Sequence, residues 1–122
     1  MKLKIKSKDI YNQAYEKEFT VMSKKLHVEN AREYNYVDEY GECIINICAD
    51  FVEIFRKGEI NSKQVFRLEK ITAFKYRTKE FSGKYSLFSK KININDKEIC
   101  IEYDIIQENE IINSISLEIV EI

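Results

Sequence analysis

The sequence predicts an all-β protein, a single mostly antiparallel β-barrel of about 8–10 strands. Three observations predict it. Apolar residues alternate with polar ones at a period of two along most of the chain. The alternating positions are rich in Ile, Val, Tyr and Phe, which fit a pleated, half-buried surface. Asn, Asp and Gly fall between the runs at hairpin spacing. The chain has 122 residues and no Pro, a length that suits one domain spanning 1–122. Many short strands must hide their edges, in a barrel or a sandwich. The barrel is favoured because nearly every run has one clean apolar face and one charged face.

The runs follow in order. Leu3, Ile5 and Ser7 share a face against Lys2, Lys4, Lys6 and Lys8. Tyr15, Lys17, Phe19 and Val21 oppose Glu16, Glu18 and Thr20, and Leu26 and Val28 oppose His27 and Glu29. Cys43, Ile45 and Ile47 share a strand with Ile44, Asn46 and Cys48; Val52, Ile54 and Arg56 alternate with Phe51, Glu53 and Phe55. Thr72, Phe74, Tyr76 and Thr78 oppose Ala73, Lys75 and Arg77. Ile99, Ile101, Tyr103 and Ile105 oppose Cys100, Glu102 and Asp104; Ile115, Leu117 and Ile119 oppose Ser114, Ser116 and Glu118. Turn signals lie at Asn30-Ala31-Arg32, Tyr40-Gly41, Lys57-Gly58-Glu59, Asn95-Asp96 and Glu108-Asn109. From Gln64 to Phe74 a second pattern competes, since Val65, Leu68 and Ile71 also fit one helix face.

Composition narrows the function classes. Twenty Lys+Arg against 21 Asp+Glu leave a net charge of −1, so no general attraction to polyanions is expected. With a single His, zinc sites and His-dependent catalysis have almost no raw material. Cys43, Cys48 and Cys100 are odd in number and form no C-x-x-C pair, which points to a reduced, cytoplasmic setting. The lysine-interrupted start lacks the apolar stretch of a signal peptide, and no run has the length of a membrane span. Gly41, Gly58 and Gly83 are isolated, so no phosphate-cradling loop is expected. No cofactor or metal is called for.

In the second half, Val52-x-Ile54-x-Arg56-x-Gly58, Tyr76-x-Thr78, Ile99-x-Ile101-x-Tyr103 and Asn113-x-Ile115-x-Leu117-x-Ile119 follow one another. In order and spacing these resemble the YwiB-like family of small bacterial proteins, over roughly residues 50–122. The resemblance implies a calycin-like (lipocalin-like) barrel and no established activity. Family members are expected to carry a Gly soon after the Tyr-x-Thr; here Gly83 comes later, so a longer loop at Lys79–Ser82 is expected.

Arg56 is the sharpest site candidate. It shares a face with Val52 and Ile54, and an inward guanidinium is costly unless a carboxylate, carbonyls or an anionic ligand pair with it. Lys17, between Tyr15 and Phe19, makes the same demand, while Tyr76, Thr78 and Tyr103 could turn hydroxyls inward. An apolar barrel with a few convergent polar groups is how small-molecule sites are built. Against this, Arg56 adjoins Lys57-Gly58 and could hold its head in water, or it could join an internal network that fills the barrel. His27 should face solvent, and Glu16, Glu18, Glu53, Glu102, Asp104 and Glu118 read as solvated charge. Lys2, Lys4, Lys6 and Lys8, with Lys90-Lys91, are the basic clusters, but cancelling acids disfavour nucleic acid. Phe51, Phe55, Ile44 and Ile112 face away from the presumed interior and need cover, from a second copy or from the chain itself. The expected role is a non-catalytic binding module for a small apolar or anionic ligand; the alternative is a structural or regulatory homodimer with a filled barrel.

Overall fold

Alternation along the chain becomes burial in the computed structural model, which describes residues 1–25 and 31–122. Eleven strands are present: β1 (Lys2–Asp9), β2 (Ala14–Thr20), β3 (Met22–Lys25), β4 (Arg32–Asp38), β5 (Gly41–Ile47), β6 (Phe51–Gly58), β7 (Asn61–Arg67), β8 (Ile71–Arg77), β9 (Ser82–Ile94), β10 (Glu98–Gln107) and β11 (Glu110–Glu121). They form one antiparallel sheet in the order β2-β1-β11-β10-β9-β8-β7-β6-β5-β4-β3. The described residues contain no helix. The strand pattern therefore wins over the helical one between Gln64 and Phe74, where β7 and β8 pair from Asn61↔Arg77 to Gln64↔Phe74. The expectations for Leu26, His27 and Val28 lie outside the described residues.

The strand count exceeds the expectation of about 8–10 for physical reasons. β4 alternates only through Tyr34, Tyr36 and Asp38, whose polar tips blur the apolar face. β9 carries the buried but polar Ser89 and a register shift that interrupts its period. Residues 14–25 bend at Val21, so one run supplies two strands, β2 on β1 and β3 on β4.

That bend closes the barrel. β2 and β3 stand at opposite edges of the sheet. Val21 bridges them, its N–H donating to the Met1 carbonyl at 3.0 Å. Across the seam the ring of Phe19 on β2 stacks on Tyr36 of β4, with centroids 4.4 Å apart and planes 25° from parallel. The result is a nearly closed, calycin-like barrel whose lumen is packed by Leu3, Ile45, Val52, Phe66, Leu87 and Ile101, among others.

Two local outcomes depart from the alternation. The register shift opposite Glu102 and Tyr103 makes Lys90 the extra residue of β9, and consecutive residues are both buried, Tyr103 in the lumen and Asp104 on the outer face beneath Lys90 and Ser114. Asp104 is thus not a solvated charge: Lys90 Nζ stands 3.0 Å away and Ser114 Oγ donates at 2.6 Å. On the exterior, Phe51 is covered by the Arg67 guanidinium at 4.2 Å and Phe55 by Lys63 at 5.4 Å, so the chain shields these rings with its own cations.

If the Phe19–Tyr36 stack closes the seam, Phe19→Ala should cost about 3 kcal/mol in urea unfolding and deprotect the β2 amides in hydrogen exchange. A loss well under 1 kcal/mol would show that the seam is held elsewhere.

Candidate functional site

Register places inward-facing side chains in rows across the sheet. Tyr34, Ile45, Ile54, Gln64, Phe74 and Tyr85 stand side by side from β4 to β9. Two residues nearer the mouth the next inner row reads Tyr36, Cys43, Arg56, Ser62, Tyr76 and Gly83. The lumen therefore grades from an apolar middle to a polar rim.

Arg56 points inward, as its alternation demands, and its counter-charge is internal. Its Nη1 donates to Asp38 Oδ2 at 2.7 Å, with the Asp38 side chain only 4% exposed and that of Arg56 30% exposed. Asp38 Oδ1 accepts the Tyr40 N–H at 2.8 Å, so one carboxylate both neutralises Arg56 and caps the β4–β5 turn. Burial pushes the Tyr36 phenol and the Cys43 thiol up, so both stay neutral beside the ion pair. Asp38 was legible in outline, since Tyr34, Tyr36 and Asp38 alternate on one face. Its pairing with Arg56 was not, because 18 residues separate them.

The other candidates part company. Tyr76 lies in the mouth row, half-buried, with its ring 6.4 Å from that of Phe81. Thr78 lies just past β8, where its Oγ1 accepts the N–H groups of Glu80 at 3.3 Å and Phe81 at 3.1 Å. It shapes the β8–β9 loop, residues 78–81, with Gly83 already inside β9 opposite Tyr76. Tyr103 is in the packed core, edge-on to Phe66 at 4.8 Å. Burial pushes its phenol up to about 12, against an opposing hydrogen bond with Gln64. Lys17 shares the inner face of β2 with Phe19 but is exposed at the seam, 5.6 Å over the Phe19 ring. Arg56 and Tyr76 are thus brought to one row, and Tyr103 and Lys17 are not.

Beyond the mouth row lies an open cleft of about 930 Å³, lined by Tyr40, Gly58, Asn61, Tyr76, Thr78 and Glu80 among others. Its wall depends on two facing glycines. Gly41 and Gly58 are register partners at φ +128° and +150°, and a Cβ on Gly58 would come within 2.5 Å of the Tyr40 carbonyl oxygen. That contact lets the Glu59 N–H donate to the same oxygen at 2.8 Å, locking two hairpin turns into one rim.

On the exterior, Glu98, Cys100 and Glu118 present one donor atom each within 4.8 Å of one another. Burial and then the Glu98 carboxylate push the Cys100 thiol up to about 11. A metal there would have to displace a firmly held proton.

Comparison with known proteins places this geometry. The family model described as "Domain of unknown function (DUF1934)" matches residues 4–119. The crystal structure of the ywiB protein from Bacillus subtilis is similar over 98% of this chain and 89% of that one, with a TM-score of 0.76 at 18% identity. No curated protein matches.

Two outcomes follow from the buried groups. Asp38→Asn, which leaves the Arg56 charge without its counter-ion, should cost about 1–3 kcal/mol in urea unfolding, and adding Arg56→Met should recover most of it. Additive losses would mean the pair is not coupled. Tyr34 and Tyr103, both raised to about 12 chiefly by burial, keep their protons in the fold after the unfolded chain loses them near 10. Their contribution is complete below pH about 10 and is lost as pH rises through 12, so Tyr103→Phe should flatten the alkaline fall in the unfolding midpoint.

Proposed function

This chain belongs to the domain of unknown function DUF1934, and we propose that it is a non-catalytic binding module with a small ligand seated at the barrel mouth. One observation carries the reading: the middle of the lumen is filled by side chains, while an aromatic-edged cleft of about 930 Å³ stands open above it. Tyr40 and Tyr76 line that cleft, and Phe81, 51% exposed, stands beside Tyr76. Arg77 and Lys79 are offset there by Glu59 and Glu80, and Arg56 below is already neutralised by Asp38. The balance favours a largely apolar ligand with a few hydrogen-bonding groups over a strongly anionic one. The proposed setting is the cytoplasm, where three free cysteines stay reduced.

The second reading is a structural or regulatory homodimer. It draws on Ile10, Tyr11, Ile111 and Ile112, exposed together at two hairpin tips that the Tyr11 Oη bond to the Ile112 carbonyl, 2.8 Å, holds side by side.

Native mass spectrometry of gently purified protein separates the two. A small added mass on the monomer, lost in Tyr76→Ala, is the expected result. A bare monomer across several preparations overturns the ligand reading, and a bare dimer replaces it with the second.

A further inference from the structure

The barrel exterior collects cations that the near-zero net charge conceals. Lys63, Lys75 and Lys84 are direct register partners across β7, β8 and β9, with Phe55 opposite Lys63 on β6. The next outer row toward the rim is Asn61, Arg77 and Ser82. Between the rows runs a trough of about 350 Å³ with no carboxylate in its lining. Its floor is backbone, because the intervening Arg56, Ser62, Tyr76 and Gly83 belong to the row that faces inward. Among the described residues none of Lys63, Lys75, Arg77 and Lys84 is in an ion pair.

Three like charges directly opposite one another on adjacent strands destabilise a sheet. A local rule broken without internal compensation is the mark of a functional surface. All three lysines are exposed, so an external polyanion can reach and neutralise them. The three lysines, on neighbouring strands about 4.8 Å apart, suit a partner with several negative charges in sequence better than one isolated anion. The ring of Phe55 and the side chain of Ile44, which continue the lysine row across β6 and β5, add an apolar surface at the end of the trough. Phosphates in line with flat, unpaired bases match both features. A duplex hides its base faces, and a run of carboxylates carries no flat ring on each charged unit, as a run of nucleotides does.

We propose that the outer face of β6–β9 binds single-stranded nucleic acid through its phosphate backbone, with a base taking the place of the Lys63 ammonium over the Phe55 ring as Lys63 turns to a phosphate. This surface is independent of the cleft at the mouth. It also differs from the lysine clusters that stand out in the sequence, Lys2–Lys8 and Lys90-Lys91. Glu53 shares the outer face of β6 one row from Phe55, and Glu59 and Glu80 stand at the rim, but no carboxylate lines the trough itself.

The test is fluorescence anisotropy with labelled oligo-dT and oligo-U of about 12 nucleotides, from about 20 to 200 mM salt. Binding should weaken with a log–log slope of about −2, the release expected for three phosphates of a single strand. Lys63→Gln, Lys75→Gln and Lys84→Gln together should reduce affinity at least about tenfold and flatten the slope. The same triple variant should melt at or above the wild-type temperature, because the repulsion is gone, and this separates lost binding from lost folding. Lys2→Gln with Lys8→Gln should bind as wild type. The DNA and RNA arms show whether the 2′-hydroxyl contributes. Absent binding at low salt, salt-independent binding, or equal loss in both variants overturns the proposal. So does stronger binding of duplex, inorganic polyphosphate or polyglutamate.

Discussion

A sheet of eleven strands in so short a chain exposes two rows of unpaired backbone groups unless its edges meet. Here one run of residues serves both edges: it pairs with β1 as β2, turns at Val21, and pairs with β4 as β3. Everything that follows depends on that closure. Only in a closed sheet does a residue on the inner face have a lumen to fill, and only then do Arg56, Asp38 and Cys43 leave water together. The Phe19–Tyr36 stack marks where side-chain packing takes over from backbone pairing at the seam.

Closure also sorts chemistry by height. The apolar rows pack the middle, where an uncompensated polar group would be most costly. One register step toward the mouth, the Arg56–Asp38 pair, Ser62 and Tyr76 occupy the zone where burial is partial and water or a ligand can complete their hydrogen bonds. Asp38 ties this zone to the turns above it, since the carboxylate that holds Arg56 also orders the backbone at Tyr40. The cleft at the rim is therefore built on a charged foundation that is already internally balanced.

The exterior follows a different logic. Cross-strand register, not sequence proximity, decides which charges become neighbours. Lysines 63, 75 and 84 lie on three separate strands, each between two residues of the inner face, yet the sheet stacks them in one line. On the opposite flank the same mechanism gathers Glu98, Cys100 and Glu118. A chain that is nearly neutral as a whole thus carries one row of lysines on β7–β9, while lysines and glutamates alternate as register partners on β1, β10 and β11.

By itself the sequence determined the class of the fold and the facing of most strands, because period-two apolarity at Leu3–Ile5, Val52–Ile54 and Ile99–Ile101 leaves one face no alternative to the core. It placed Arg56 on the face of Val52 and Ile54 but left open whether its head enters the lumen or reaches water at the strand end. Tertiary structure alone decided who the partner of Arg56 is, that Thr78 serves a loop instead of the lumen, and that Lys90 and Ser114 cover Asp104. It also decided that three distant lysines align. Thr78 follows a local turn with Glu80 and Phe81, and the other three share one physical reason: alternation is a property of neighbours along the chain, whereas pairing, irregular register and charge rows arise between strands, which no local pattern encodes.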